Sequence, residues 1–323
     1  MSFSSETKKE LCKISPKLEE MKKAEAYGMF LFCKKFSEQE IAFRTESCES
    51  ALRFADTVKK QTKASAVITE SPSVRKNEAV LYKVGIPSKD DCKRIFALFG
   101  HDSGQVSLRI NRANIEFEIC ASDFLRGAFL VCGNISSPES EYHLEFNVAH
   151  KNLSEDLQKL IEEVSEFVGG RAIVPKISGR RGSYVVYIKD SDDISDFLTL
   201  IGASNASMEV MQVKIMKNIV NAKTRKVNSE IANTEKTVSA AVRQIRAINM
   251  LDECGKLQTL SEELQTVARI RKAYPLASLK ELCGYFEDPI SKSGLNHRLN
   301  RLVELSETDD KNKKANKKSA ANN

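Results

Sequence analysis

The sequence predicts an α+β fold: a duplicated αββαββα unit with pseudo-twofold symmetry, followed by an all-α domain. Three observations predict it. The phrase "YGMFLFCKK" (27–35) returns as "RGAFLVCGN" (126–134), with Gly, an apolar run and then Cys in both. Each copy closes on a matched helical segment, "DDCKRIFALFG" (90–100) and "DDISDFLTLIG" (192–202), so Gly28 to Gly100 spans 72 residues and Gly127 to Gly202 spans 75. Anchors at both ends with nearly equal spacing mark an internal repeat. After Gly202 strand-like alternation stops and the chain reads as helix.

The elements of each copy follow in order. The two Gly-apolar phrases read as helices. Gly lacks a Cβ, so two such helices can pack backbone to backbone across a pseudo-twofold axis. Strand-like alternation follows in "IAFRTES" (41–47) and "YHLEFNV" (142–148). An amphipathic helix comes next, with Leu52, Phe54, Ala55 and Val58 supplying the apolar face of the first. Leu153, Leu157, Leu160, Ile161 and Val164 supply that of the second. Two further β-rich runs complete each copy: "SAVITE" and "AVLYKVG" in the first, "RAIVP" and "SYVVYIK" in the second.

Composition bounds the function. The chain has 323 residues and 41% hydrophobic content, enough for about two domains. No run of about 20 apolar residues is present to span a bilayer. The N-terminal "MSFSSETKKELCKIS" has no apolar signal core, so a cytoplasmic location is expected. The eight cysteines include no CxxC pair, and the four His (101, 143, 150, 297) are dispersed. Reduced, packed thiols are expected rather than disulfides or zinc, and no metal, cofactor or small-molecule substrate is expected. Net charge is +6 and unevenly spread. Arg171, Lys176, Arg180, Arg181 and Lys189 fall in one acid-free stretch, and a second basic stretch covers 214–246. Such stretches suit a polyanion, or are simply solvated faces.

The C-terminal third carries the more specific signal. Residues 206–255 read as one or two basic helices linking domains, with a break at "DECGKLQ". Three helical segments follow within 256–308. The first has Ser261 as a cap and stops at Pro275. The second has a Ser278/Glu281 capping-box pattern. The third starts at Ser291, with an apolar stripe through Leu295, Leu299, Leu302 and Val303. Lys292, Ser293, Asn296, His297, Asn300 and Arg301 lie mainly off that stripe, toward the helix start, and Arg298 lies beside it. A short helix, a tight turn and a helix with polar residues in its first half describe a helix-turn-helix. Asn and Arg suit base edges, whereas Ser, Lys and a helix N-terminus suit phosphates. Ser293, Asn296 and His297 are the candidate base readers, and Lys292, Arg298 and Arg301 the candidate phosphate anchors. The competing reading is a three-helix interaction module. The lysine-rich tail, 309–323, is expected to be disordered.

The duplicated unit resembles the LAGLIDADG homing-endonuclease fold, in which the motif helices form a central seam and two sheets straddle DNA as a saddle. That resemblance implies a metal-binding acid at the end of each seam helix. Aligned on Gly28 and Gly127, those positions hold Cys33 and Cys132. A protonated thiol is a poor ligand for hard Mg²⁺, and Lys34 adds positive charge beside the first. A scaffold without nuclease chemistry is therefore expected. The alternative is a residual metal-dependent endonuclease using Glu25 or Asp123, both at the far end of the seam helices. A nucleoid-associated or RNA-binding protein is a further alternative.

Nearly the whole chain, most specifically its C-terminal half, is similar to the WhiA sporulation-regulator family. The similarity rests on "VNSEIANTEKTVSAAVRQIRAI" (227–248), "YPLASLKEL" (274–282), "ISKSGLNHRLNRL" (290–302) and "LRGAFLVCGNISSPESEYHLEF" (125–146). It implies a degenerate LAGLIDADG domain over 1–205 and a C-terminal helix-turn-helix. It implies a non-catalytic, double-stranded-DNA-binding transcription regulator tied to sporulation or cell division, acting at the nucleoid. It leaves room for a second transcription factor as partner, including the iron–sulfur regulator of sporulating actinobacteria, although no residue here points to one.

Overall fold

Both Gly-bearing phrases form helices, α2 (Glu19–Leu31) and α5 (Phe117–Cys132), preceded by a helix the periodicity did not announce, α1 (Phe3–Cys12). The computed structural model describes residues 2–72, 80–180 and 182–320, with all their side chains except those of 117–119 and 309–320. The chain divides into two units, Met1–Asn218 and Ile219–Asn323.

In the first unit, α2 leads into β1 (Lys35–Phe36), β2 (Ile41–Thr45), α3 (Cys48–Thr62), β3 (Val67–Pro72), β4 (Val80–Gly85) and α4 (Lys89–Leu98). From α5 the same order recurs: β5 (Gly133–Ile135), β6 (Leu144–Val148), α6 (Lys151–Gly169), β7 (Lys176–Arg180), β8 (Ser183–Ile188) and α7 (Ser191–Ile201). The two antiparallel sheets share one topology, β1-β2-β4-β3 and β5-β6-β8-β7. The αββαββα duplication is thus present in both elements and strand order.

The seam explains the repeated glycine. A Cβ on Gly28 would stand 2.2 Å from the carbonyl oxygen of Phe124, and one on Gly127 would stand 2.2 Å from that of Glu25. Each glycine therefore lets its helix approach the other's backbone, and only hydrogen fits there. Around the seam the core is aromatic: Tyr27, Phe30, Phe54, Phe99, Phe124, Phe129, Phe146 and Phe197 are all fully buried. The Tyr27 hydroxyl accepts the Asn111 backbone N–H at 2.7 Å and meets His101 Nε2 at 3.0 Å, so this histidine serves the core.

Two local expectations need correction. Leu52 is 57% exposed, because Ala51, Phe54 and Val58 define the buried face of α3 and Leu52 falls outside that arc. The "RAIVP" run is not a strand; β7 begins just after it. Pro175 has no N–H for a ladder, its carbonyl accepts from Gln158 Nε2, and the Ile173 N–H donates to Ser165 Oγ at 2.7 Å. In α6 the five expected apolar residues are all buried.

Helix α8 (Ser204–Glu253) is continuous and crosses the division between the units. It ends where Gly255 takes a φ of 68°. The second unit continues with α9 (Glu262–Ala273), α10 (Leu279–Cys283) and α11 (Lys292–Ala320). Its core joins Ile248 and Leu251 to Val267, Ala268, Leu282, Leu295, Leu299 and Leu302. The Ser278/Glu281 capping box is formed, whereas Ser261 precedes α9 without a side-chain cap bond. Residues from 309, expected to be disordered, continue α11 to Ala320: no Gly or Pro follows Gly294 in this helix, and Lys and Ala favour helix.

Candidate nucleic-acid interface

The seam helices end at Cys33 and Cys132. Cys33 is buried, its Sγ donates to the Met29 carbonyl at 3.3 Å, and burial pushes its thiol well above the ordinary value. Burial also pushes the half-buried Cys132 up to about 12, an effect opposed by the nearby Lys8 amine. Lys8 comes from α1, which lies against this end of the seam, and burial lowers its amine to about 8. The place where the fold would put metal-binding acids thus holds two neutral thiols and an amine.

The other acids of the seam are engaged. Glu25 and Asp123 are 2% and 7% exposed. Arg126 donates Nε to Glu25 at 3.0 Å and contacts Asp123 through Nη2, and Arg53 donates Nε to Glu25 at 2.9 Å. Burial raises the Asp123 carboxyl, and the Arg126 guanidinium opposes that rise. This ion cluster was not foreseen. The signal was present, because Arg126 is a lone charge inside the apolar run "FLRGAFL". Among the described residues no group of three His, Cys, Asp or Glu side chains is placed to hold a metal ion.

A cavity of about 980 Å³ opens beside the seam ends and touches both sheets. Lys8, Lys34, Arg44, Asn134, Asn147 and Ser183 are among its lining residues. Register extends the polar surface outward from it. Arg44 pairs across to Lys83 and Lys83 to Thr69, while the alternating Phe43 and Val84 turn into the core. On the second sheet Lys176 lies opposite Tyr187, and Arg180 opposite Ser183. No carboxylate among the described residues pairs with Lys34, Arg44 or Lys83.

The foreseen basic stretch separates on folding. Arg180 is exposed on β7 and meets Glu145 at 3.3 Å. Arg181 lies outside the described residues. Arg171 precedes the strand and is held by Asp193 and Asp196 at 2.5 and 3.2 Å, so it belongs to the start of α7. Arg44 and Lys83 were missed as site residues, because their shared face depends on a strand pairing between distant segments.

In the second unit, Ser291 caps α11 by accepting the Gly294 N–H at 3.1 Å, and its hydroxyl lies 3.1 Å from that of Ser293. Leu295, Leu299, Leu302 and Val303 are buried, as the stripe predicts. Lys292, Ser293, Asn296, His297 and Arg301 are exposed. Arg298 is half-buried and bound to Glu263 of α9 at 2.9 Å, while Arg301 meets Glu304 at 3.2 Å. The first two turns of α11 therefore present one polar, largely uncommitted face.

Comparison with known proteins agrees with both units. Residues 121–220 match the WhiA LAGLIDADG-like domain, and residues 224–306 match the WhiA C-terminal HTH domain. The chain is 35% identical over 319 residues to a "Probable cell division protein WhiA" of Clostridium perfringens (strain SM101 / Type A), covering 95% of this chain and 98% of that one. It is 35% identical over 317 residues to the protein of the same name from Ruminiclostridium cellulolyticum, covering 97% and 99%. Its fold is shared with the crystal structure of full-length DUF199/WhiA from Thermatoga maritima, at a TM-score of 0.55 and 24% identity, over 95% of this chain and 99% of that one. With identity sustained across nearly the whole length and both domains matched in order, the chain belongs to the WhiA family.

Proposed function

We propose that this chain is a sequence-specific, double-stranded-DNA-binding transcription regulator without catalytic activity, working at the nucleoid in cell division or sporulation. The observation that carries the reading is the start of α11. Lys292, Ser293, Asn296 and His297 are exposed, while Leu295 and Leu299 of the same turns are buried. Residues at the N-terminal end of a reader helix reach base edges in the major groove. Asn296 suits adenine, and Lys292 and Arg301 suit phosphates. Arg298 serves best as a brace between α11 and α9, given its bond to Glu263.

The groove of the first unit adds sequence-independent attraction. Lys34, Arg44 and Lys83 supply positive charge there without an internal counter-ion among the described residues, and Arg180 adds charge on the second sheet. The absence of catalysis is supported by Cys33 and Cys132 at the former acid positions, and by the commitment of Glu25 and Asp123 to guanidinium groups. The names of the relatives support the link to cell division.

The test is binding of the full chain to a duplex site selected from random sequence. Asn296→Ala costs about 1–3 kcal/mol on that site and much less on random DNA. Arg301→Ala weakens both alike. An Asn296→Ala loss equal on both kinds of DNA defeats the reader assignment. Supercoiled plasmid stays intact with Mg²⁺ or Mn²⁺; nicking that disappears with Asp123→Asn supports the endonuclease reading instead.

A further inference from the structure

Helix α8 carries a heptad seam. Spacings of four and three alternate without a break from Ala206 to Ile248, and Lys217 is the one charged residue in that register. Its ends are buried: Ala206 and Val210 join the core of the first unit, and Ala241 and Ile248 are buried in the second. Between them Val220, Thr224, Val227, Ile231, Thr234 and Val238 all face solvent. The four aliphatic members are 56%, 43%, 51% and 42% exposed. Thr224 and Thr234 donate their hydroxyls to the carbonyls of Val220 and Glu230, each at 2.9 Å. Their polar groups are thereby satisfied within the helix, and methyl groups remain for packing.

A strict 3.5-residue repeat is the signature of a helix that packs on another along its length. A helix facing an ordinary core shows a wider apolar band. A helical stretch with every residue from 221 to 236 exposed also gains little from tertiary packing, which isolated helices in water need.

We propose that the exposed seam of α8 is a self-association surface, which pairs antiparallel with the same segment of a second copy of this chain. The seam reads Val-Thr-Val-Ile-Thr-Val and is chemically palindromic about Ser229. Antiparallel pairing about that point sets Val220 against Val238 of the second copy, Thr224 against Thr234, and Val227 against Ile231. A twofold interface requires this self-complementarity. Charge favours the same direction. In a parallel pair Glu230 would face Glu235 of the other copy on both sides of the seam, a like-charge contact made twice. In the antiparallel pair Glu235 faces Asn221, and only the two Glu230 approach each other, each with Lys226 one turn away. Lys223 flanks the seam opposite Thr237 of the second copy, while Arg225, Lys236 and Arg243 fall on the outer side of the helix and stay free for DNA.

Sedimentation of the full chain from about 1 to 300 μM is the test. The expected result is a monomer–dimer equilibrium. Ile231→Lys weakens it at least about tenfold, and Ser229→Lys on the outer face leaves it unchanged. Both positions are exposed, so, compared as dilute monomers, the variants keep the wild-type helix content and melting temperature. Direction is read by mixing Val227→Cys and Ile231→Cys chains under mild oxidation and mapping the bridges by mass spectrometry. The antiparallel pair yields 227–231 bridges. A chain that stays monomeric over the whole range, a dimer indifferent to Ile231→Lys, or 227–227 and 231–231 bridges in place of 227–231 overturns the proposal.

Discussion

Gly127 and Lys8 put the physics of the seam on single residues. Any side chain at Gly127 drives into the Glu25 carbonyl, which is backbone and cannot swing away. Gly127→Ala therefore destabilises the first unit by about 3 kcal/mol, measured as a shift in its denaturant midpoint. Arg126 is the other critical residue. Arg126→Met leaves Glu25 and Asp123 buried without their shared guanidinium and costs about 3–5 kcal/mol, whereas an exposed pair such as Lys60–Asp56 contributes under about 1 kcal/mol. Lys8 gives a pH signature. Its amine titrates near 8 in the fold and near 10.5 unfolded, so below pH 8 both states carry the proton. Between pH 8 and 10.5 the unfolded chain holds a proton that the folded chain has released, and stability rises with pH through that window. Compared with Lys8→Met, the wild type gains at most about 1.4 kcal/mol per pH unit there. A difference between the two proteins that stays flat over this window places the amine in solvent.

Single elements account for the DNA predictions. Strands β2 and β4 bring Arg44 and Lys83 together on one face. Neutralising both shallows the salt dependence of binding to unrelated DNA by up to about two in slope. An unchanged slope puts that sheet face off the DNA. On α11 the reader face depends on the buried stripe beneath it. Leu299→Ala, at a fully buried position, costs about 2–4 kcal/mol of the second unit's stability and weakens specific binding through misplacement of Asn296. The capping box of α10 is a smaller contribution: Ser278→Ala removes about 1 kcal/mol.

At the scale of the whole molecule, two units with separate cores share one helix. The exposed middle of α8 includes Lys223, Arg225, Lys226 and Lys236, all trypsin sites. Limited digestion of dilute protein, below the range of self-association, cuts first within 221–236 and releases two folded fragments. Cleavage that begins inside either core contradicts this division. No helix of the described residues is long and apolar enough to cross a membrane.

Much of this was legible in the sequence by itself. The repeat, the order of helices and strands apart from α1 and the "RAIVP" run, the glycine seam and the buried stripe of α11 are all local or periodic features. Each follows from side-chain spacing at 3.6 or 2 residues, or from a residue type that a single backbone conformation demands. The tertiary structure alone decided which charges are used up. Spacing does not name a partner for Arg126, Arg171 or Arg298, yet they end beside Glu25, Asp193 and Glu263. It also placed α1 against the seam ends and joined Arg44 to Lys83. These outcomes depend on contacts between segments far apart in the chain, and periodicity carries no information about which face meets which. A heptad can be read in α8 from spacing, but only the structure showed that its ends are buried and its middle is bare, because burial is a property of the neighbours and not of the helix.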